Sequence, residues 1–178
     1  MTLPHYRRLA ALVLAAAGAA TCGTASALDP NLYFGAKAGV MSSDRSGYGD
    51  SWNAGGLVGL HILDFGKGNY GSLSGEVEAT VPLIKGDLNP PGEKWRAWTV
   101  GAFAVYRSPE LSNIYFKGRA GVVHRDITTS PSGLRDAGSS DDPAFGVGVG
   151  YRLTRRNNIE LEATFMDTLT FISAGLTF

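Results

Sequence analysis

Cysteine is all but missing from this 178-residue chain: the only one is Cys22. A fold stapled by disulfides is therefore excluded, although small exported domains often depend on them. Long apolar runs are missing too. After Ala27 no run reaches the roughly 18 residues that a helix needs to cross a bilayer. Neither sign of charge dominates. Two of the 16 bases, Arg7 and Arg8, lie in the N-terminal stretch, which leaves 14 against 16 acids, and that balance gives nucleic acid nothing to grip. Histidine is scarce as well, with only His61 and His124 beyond His5, so acid–base chemistry has few candidates.

What is present begins with an export signal. MTLPHYRR carries two arginines and no acid, LAALVLAAAGAA is a short apolar stretch, and Ala25-Ser26-Ala27 is a small-x-small cleavage site. This reads as a secretory signal peptide over 1–27, leaving 28–178 as one domain. Acylation of Cys22 is disfavoured, because Ala19, Ala20 and Thr21 make a poor lipobox. Glycine is abundant: 22 of the 24 lie after Ala27, many of them inside the apolar runs rather than between them. Inside a strand, glycine weakens the strand unless a neighbour must come close or the sheet must bend.

Eight segments alternate with period two, at about 32–41, 52–63, 72–82, 95–106, 114–125, 144–153, 159–166 and 169–178. No stretch carries a helical stripe. The alternation separates two kinds of face. Phe34, Ala36, Ala38 and Val40 share one side of the first segment and Lys37 lies on the other. Leu73, Val77, Ala79 and Val81 oppose Glu76 and Glu78; Ile114, Phe116, Ala120 and Val122 oppose Lys117 and Arg119. Phe145, Val147, Val149, Tyr151 and Leu153 oppose three glycines and Arg152, and Ile159, Leu161, Ala163 and Phe165 oppose Glu160 and Glu162. The 95–106 segment is apolar on both faces, so its register is not fixed by pattern.

A soluble sandwich or barrel would turn the charged face to water. Here the charged faces also carry many of the glycines, as a narrow interior needs, and the apolar faces carry no charge. Turned inside out, the pattern is that of a membrane barrel, apolar outward and polar inward. Closure then removes every sheet edge, which lipid would not tolerate. The expected fold is all-β: an eight-stranded antiparallel up-and-down transmembrane β-barrel. Phe34, Tyr106, Phe116, Tyr151 and Phe178 are expected at one rim, and Trp52, Trp95, Phe145 and Phe165 at the other, as two interfacial aromatic belts.

LYFGAKAGV, YFKGRAGV, AFGVGVGYRL and the closing FISAGLTF resemble the small outer membrane barrels of the OmpA transmembrane-domain and opacity-protein type. The resemblance covers essentially all of 28–178. It implies a Gram-negative outer membrane location, both chain ends in the periplasm, and lipid and lipopolysaccharide as surroundings. It also implies that Ile172, Ala174, Leu176 and Phe178 are read by the barrel assembly machinery. The chain differs from longer relatives in stopping at Phe178, so cell-wall anchoring is not carried over. The connections 42–51, 83–94 and 126–143 would face outward, and the 64–71 turn is long for a periplasmic one. A monomer is expected.

The interior charges form a pattern of their own. Lys37, Glu76, Glu78, Lys117, Arg119, Glu160 and Glu162 alternate in sign around the odd strands, with Gly55, Gly59, Gly101, Gly146, Gly148, Gly150, Ser173 and Gly175 between them. Arg152 would face Glu160 if the TRRNN turn centres on Arg156. Four bases and four acids cancel, and paired charges are tolerable where lone ones are not. A plugged interior is expected, serving a structural or surface-interaction role; a narrow ion or small-solute channel is the alternative reading.

Enzyme chemistry finds little. GVGVG superficially resembles a phosphate-binding loop but lies in a strand, with alternating valines. His124 with Asp126 and Ser130 is the only assemblage resembling a catalytic set, as in lipid-modifying barrels of this size, and a rim histidine is more often an interfacial polar residue. Ser139-Ser140-Asp141-Asp142 offers cation ligands but reads more simply as a solvated turn. No catalytic residue, cofactor or metal is expected.

Overall fold

The computed structural model describes residues 31–89, 92–130, 138–154 and 157–178. The expected signal peptide, Cys22, Arg156 and residues 131–137 of the expected 126–143 connection lie outside the described residues. Among the described residues nine strands follow one another: β1 (Leu32–Ser43), β2 (Ser51–Asp64), β3 (Ser72–Ile84), β4 (Gly86–Leu88), β5 (Glu93–Arg107), β6 (Ile114–Ser130), β7 (Gly138–Arg152), β8 (Asn158–Met166) and β9 (Leu169–Thr177). All pairings are antiparallel: successive staves pair in turn, β3 with β5 among them, and β1 pairs with β9 to close the wall. The barrel therefore has eight staves. The short β4 is a continuation of β3, pairing Gly86 with Trp95 beyond a break in the ladder. The neighbouring β2–β3 register shifts where Asn53 meets Pro82, a residue with no N–H to give a ladder.

Alternation along each strand sends one set of side chains outward and the other into the lumen. Val77, Phe116, Val122, Phe145, Val147, Leu161 and Ile172 are all more than half exposed on the outer wall. The chain's last residue is tied down: the Phe178 and Phe34 backbones exchange two hydrogen bonds of 2.9 Å. That pair marks the near end of the barrel, where the described chain begins and ends. The far end holds the β1–β2, β4–β5 and β8–β9 connections.

The far-end connections are shorter than the polarity of the sequence suggests. β6 runs on to Ser130 and β7 starts at Gly138, with Asp126 paired to Ser139 and Ile127 to Gly138. Thr128 and Thr129 are β-branched and pair with Arg96 and Trp95, so their polarity marks strand standing clear of the apolar band rather than loop. At the near end the long 64–71 connection is a folded unit. A tight turn at Phe65–Gly68, with Gly66 and Lys67 at positive φ, is pinned by the Tyr106 hydroxyl donating to the Tyr70 carbonyl at 2.8 Å, and the Phe65 and Tyr106 rings lie 6.3 Å apart. Gly71 takes φ 88°, a value suited to glycine, and a Cβ there would collide with the Arg107 carbonyl.

Of the expected aromatic belts, one member is misplaced. Trp95 is wholly buried inside the far end, its Nε1–H donating to the Gly49 carbonyl at 2.7 Å and its ring meeting Tyr48 edge-on at 5.5 Å. It shares the inward face with Ala97, Thr99, Phe103 and Val105. Trp98, on the opposite face, takes the outward position instead. Because β5 is apolar on both sides, pattern alone could not choose between the two tryptophans.

Candidate functional site

The lumen holds the densest chemistry of the molecule, built from pairs at i and i+2. In a strand that spacing returns a side chain to the same face, so Glu76 and Glu78 on β3, Lys117 and Arg119 on β6, and Glu160 and Glu162 on β8 all point inward. All six are buried.

They form two tiers. Nearest the near end, the Arg107 guanidinium lies between Glu76 at 2.7 Å and Glu160 at 3.2 Å. The Tyr33 hydroxyl donates to Glu76 Oε1 at 2.8 Å, and the Tyr115 hydroxyl to Glu160 Oε1 at 2.7 Å. Lys117 spans the tiers, with Nζ 3.2 Å from Glu76, 2.9 Å from Glu160 and 2.9 Å from Glu162. In the second tier Lys37 meets Glu78 at 2.6 Å and Glu162 at 3.1 Å. Arg119 meets Glu78 at 2.5 Å and Glu162 at 2.9 Å, and donates to the Thr164 hydroxyl. Its Nε is buried without a hydrogen-bond partner among the described residues, while the guanidinium carbon sits 4.0 Å from the Phe103 ring centroid. Cation–π attraction of this kind offsets part of the missing hydrogen bond.

Glycines make the room. Tyr33 pairs across the ladder with Gly59 and Tyr115 with Gly150; a Cβ at either glycine would run into the tyrosine ring. A Cβ at Gly146 would come within 2.8 Å of the Arg119 side chain. Each ring therefore lies flat over the neighbouring strand and carries its hydroxyl to a carboxylate. A void of about 10 Å³ beside Lys37, Lys117, Glu160 and Glu162 has space for about one water.

Seven of the eight charges expected inside are in these tiers; Arg152 is not. It stands exposed at the near mouth and pairs with Glu110. The ladder puts Arg152 opposite Asn158 and Gly150 opposite Glu160, so the expected register is off by one pairing step along this face and the arginine lands beyond the carboxylate. Arg107 takes its place, which keeps the count at four bases and four acids. The sequence signal was available: Arg107 continues the face of Phe103 and Val105, one residue past the expected strand end. A second missed arginine, Arg125, is buried at the far end. It pairs with Asp142, lies 3.2 Å from Asp167 and donates to the Thr168 hydroxyl at 2.6 Å, tying β6 to β7 and to the β8–β9 turn.

The weaker candidates separate. His124 faces outward, with Nδ1 2.7 Å from Asp141 on the neighbouring strand and its ring 5.5 Å from Trp98. Asp126 instead accepts from Thr128 at 3.4 Å, and Ser130 lies three outward positions beyond His124, so no histidine-centred set is assembled there. Asp141 and Asp142, considered as cation ligands, point to opposite faces and are engaged by His124 and Arg125. At the near mouth a depression of about 410 Å³ is lined by Lys67, Arg107, Glu110, Tyr115, Arg152 and Asn158 among others.

Comparison with known proteins agrees with this architecture. Residues 9–176 match the model of the outer membrane protein beta-barrel domain. No curated protein sequence matches. Among solved structures, Neisserial surface protein A superposes with a TM-score of 0.57 at 19% identity, over 83% of this chain and 96% of that one. The outer membrane enzyme PagL gives 0.53 at 13%, over 82% and 98%. The N-terminal barrel of Pseudomonas aeruginosa OprF gives 0.51 at 13%, over 82% and 96%. Identities this low establish a shared fold and carry no activity across. With a closed wall of eight antiparallel strands, apolar outside and charged within, the chain belongs to the outer membrane protein beta-barrel domain family, integral barrels of the Gram-negative outer membrane.

Proposed function

We propose that this protein is a monomeric, non-enzymatic barrel whose lumen is plugged by its own ion pairs, serving a structural or surface-interaction role in the outer membrane. The observation that carries the reading is the stacking of two obstacles along one lumen. The neutral charge tiers fill the near half, and Met41, Trp95, Ala97, Met166, Leu169 and Phe171 pack together beyond them. An eight-stranded barrel is only wide enough for its own side chains or one small ligand. A hydrated ion would have to displace buried pairs and then cross an apolar layer. With both chain ends in the periplasm, as the family resemblance implies, the far end faces outward. Residues 1–27 act as the cleaved signal peptide and Phe178 with its alternating neighbours as the assembly signal.

Planar-bilayer recording of the purified protein tests the plug. Wild type is expected to show no steady conductance, and Arg119→Ala to admit at most brief openings. Steady ohmic channels in wild type, altered by Glu76→Gln, would replace this reading with the channel.

A further inference from the structure

The outer wall changes character abruptly toward the far end. Along β5 the outward residues run Tyr106, Ala104, Ala102, Val100, Trp98, then Arg96 and Lys94. On β6 they run Phe116, Gly118, Ala120, Val122, His124, Asp126, Thr128 and Ser130. The apolar band thus ends at Trp98 and His124. From Trp98 to Tyr106 is eight residues, which at ~3.4 Å each and a tilt of ~40° gives a height of about 21 Å, close to the ~25 Å band of membrane barrels. By the same arithmetic Arg96 stands about 5 Å and Lys94 about 10 Å beyond the edge. Head groups occupy roughly the first 5 to 7 Å outside the hydrocarbon. Arg96 therefore points outward at head-group depth, and Lys94 stands about 3 Å beyond that layer, a gap its long side chain spans.

They do not stand alone. Lys85, Lys94, Arg96, Thr128, Thr129 and Ser130 line one recess of about 260 Å³. Arg96 pairs across the ladder with Thr128, and Lys94 with Ser130, so each base has a hydroxyl-bearing residue beside it. Two acids are near. Asp87 holds Lys94 at 2.5 Å in a pair exposed to water, and Asp126 sits one outward position closer to the bilayer, accepting from Thr128. Among the described residues Lys85 and Arg96 have no ion-pair partner.

We propose that Lys85, Lys94 and Arg96, with the hydroxyls of Thr128 and Ser130, form a binding site for the phosphate of a lipid head group in the leaflet at the far rim. A free anion in solution is a poorer fit. The recess opens on the lipid-facing wall at the depth where lipid phosphates are already concentrated, and Arg96 in it is one outward position beyond Trp98 on β5. The site rests on the membrane-barrel reading and, for which leaflet supplies the lipid, on the far end facing outward.

The test uses protein extracted from membranes into neutral detergent, with bound lipid counted by native mass spectrometry. The probes are a lipid A bearing two phosphates, the same lipid dephosphorylated, and inorganic phosphate. Three bases acting at an anionic surface correspond to about a hundredfold in binding. Wild type is expected to retain the phosphorylated lipid at least tenfold better than the dephosphorylated one, and K85A/K94A/R96A to lose that preference. Inorganic phosphate at millimolar concentration should not displace the lipid. Equal retention by the triple variant, or displacement by free phosphate, would overturn the proposal. All three side chains lie outside the lumen, and the cold SDS gel shift verifies that the triple variant folds; R96Q alone, expected to weaken retention of the phosphorylated lipid about fivefold, is the fallback. Cysteine labelling of the far rim on intact cells tests sidedness separately, so a wrong orientation and a wrong site give different results.

Discussion

Replacing Glu162 by glutamine keeps its shape and removes one charge from the place where three cations converge. Lys117 and Arg119 lie 2.9 Å from its carboxylate and Lys37 lies 3.1 Å away. The lumen then holds four bases against three acids, and a buried charge loses its compensation. Breaking one side of a buried pair costs about 3 to 5 kcal/mol. With a urea slope of about 2 kcal/mol per molar, the unfolding midpoint falls by about 2 M. The assay is urea unfolding in phospholipid bilayers, followed by tryptophan emission and by the gel shift. Combining Glu162→Gln with Lys37→Met restores neutrality. The remaining groups stay paired, because Glu78 keeps Arg119 while Glu76 and Glu160 keep Lys117 and Arg107. The double variant should therefore be more stable than Glu162→Gln alone. A single variant within about 1 kcal/mol of wild type, or a double variant whose losses simply add, would refute the electrostatic reasoning.

Gly150→Ala forces the Tyr115 ring off its neighbour and away from Glu160; a loss of about 1 to 3 kcal/mol is expected in the same urea assay. Arg107→Met leaves Glu76 and Glu160 sharing Lys117, and should destabilise the barrel more than Arg152→Met, whose side chain is exposed. Brominated lipids should quench emission from Trp52 and Trp98 but leave Trp95 bright, which single-tryptophan variants can separate. Deleting Phe178 should slow assembly in cells and leave refolding in detergent largely intact, measured by the proportion of heat-modifiable protein; equal assembly rates would remove the signal role.

Much of the barrel was readable before any coordinates, because lipid and lumen impose opposite demands on alternate residues. Where one face is charged, as around Glu76 and Glu78 or Glu160 and Glu162, the period-two pattern assigns every side chain to a side. Legibility failed where that contrast vanished. β5 offers apolar residues to both sides, so Trp95 and Trp98 were indistinguishable and Arg107 fell just outside the expected strand. It failed again beyond the bilayer, where Thr128, Thr129 and Ser130 form strand without an apolar face to announce it. Arg152 was misplaced for a third reason: a turn fixes register to the residue, and TRRNN does not declare its centre. The tyrosine-on-glycine pairs were visible in principle, but only a known ladder register sets Tyr33 against Gly59 and Tyr115 against Gly150.

Most of the luminal ties step over a stave. Lys37 on β1 reaches Glu78 on β3 and Glu162 on β8, while Lys117 and Arg119 on β6 reach β3 one way and β8 the other. An open sheet on its way into the membrane cannot complete such a set, since Lys37 on β1 comes within reach of Glu162 on β8 only when β9 has docked on β1. Until then Lys37 and Glu162 lack each other, the luminal charges are not fully compensated, and the inserted sheet remains less stable than the finished one. Closure, rather than the addition of any single strand, is then the step that commits the protein to the bilayer. A ladder slipped by two residues would bring the wrong partners together, so the charges also check the register of the wall that encloses them.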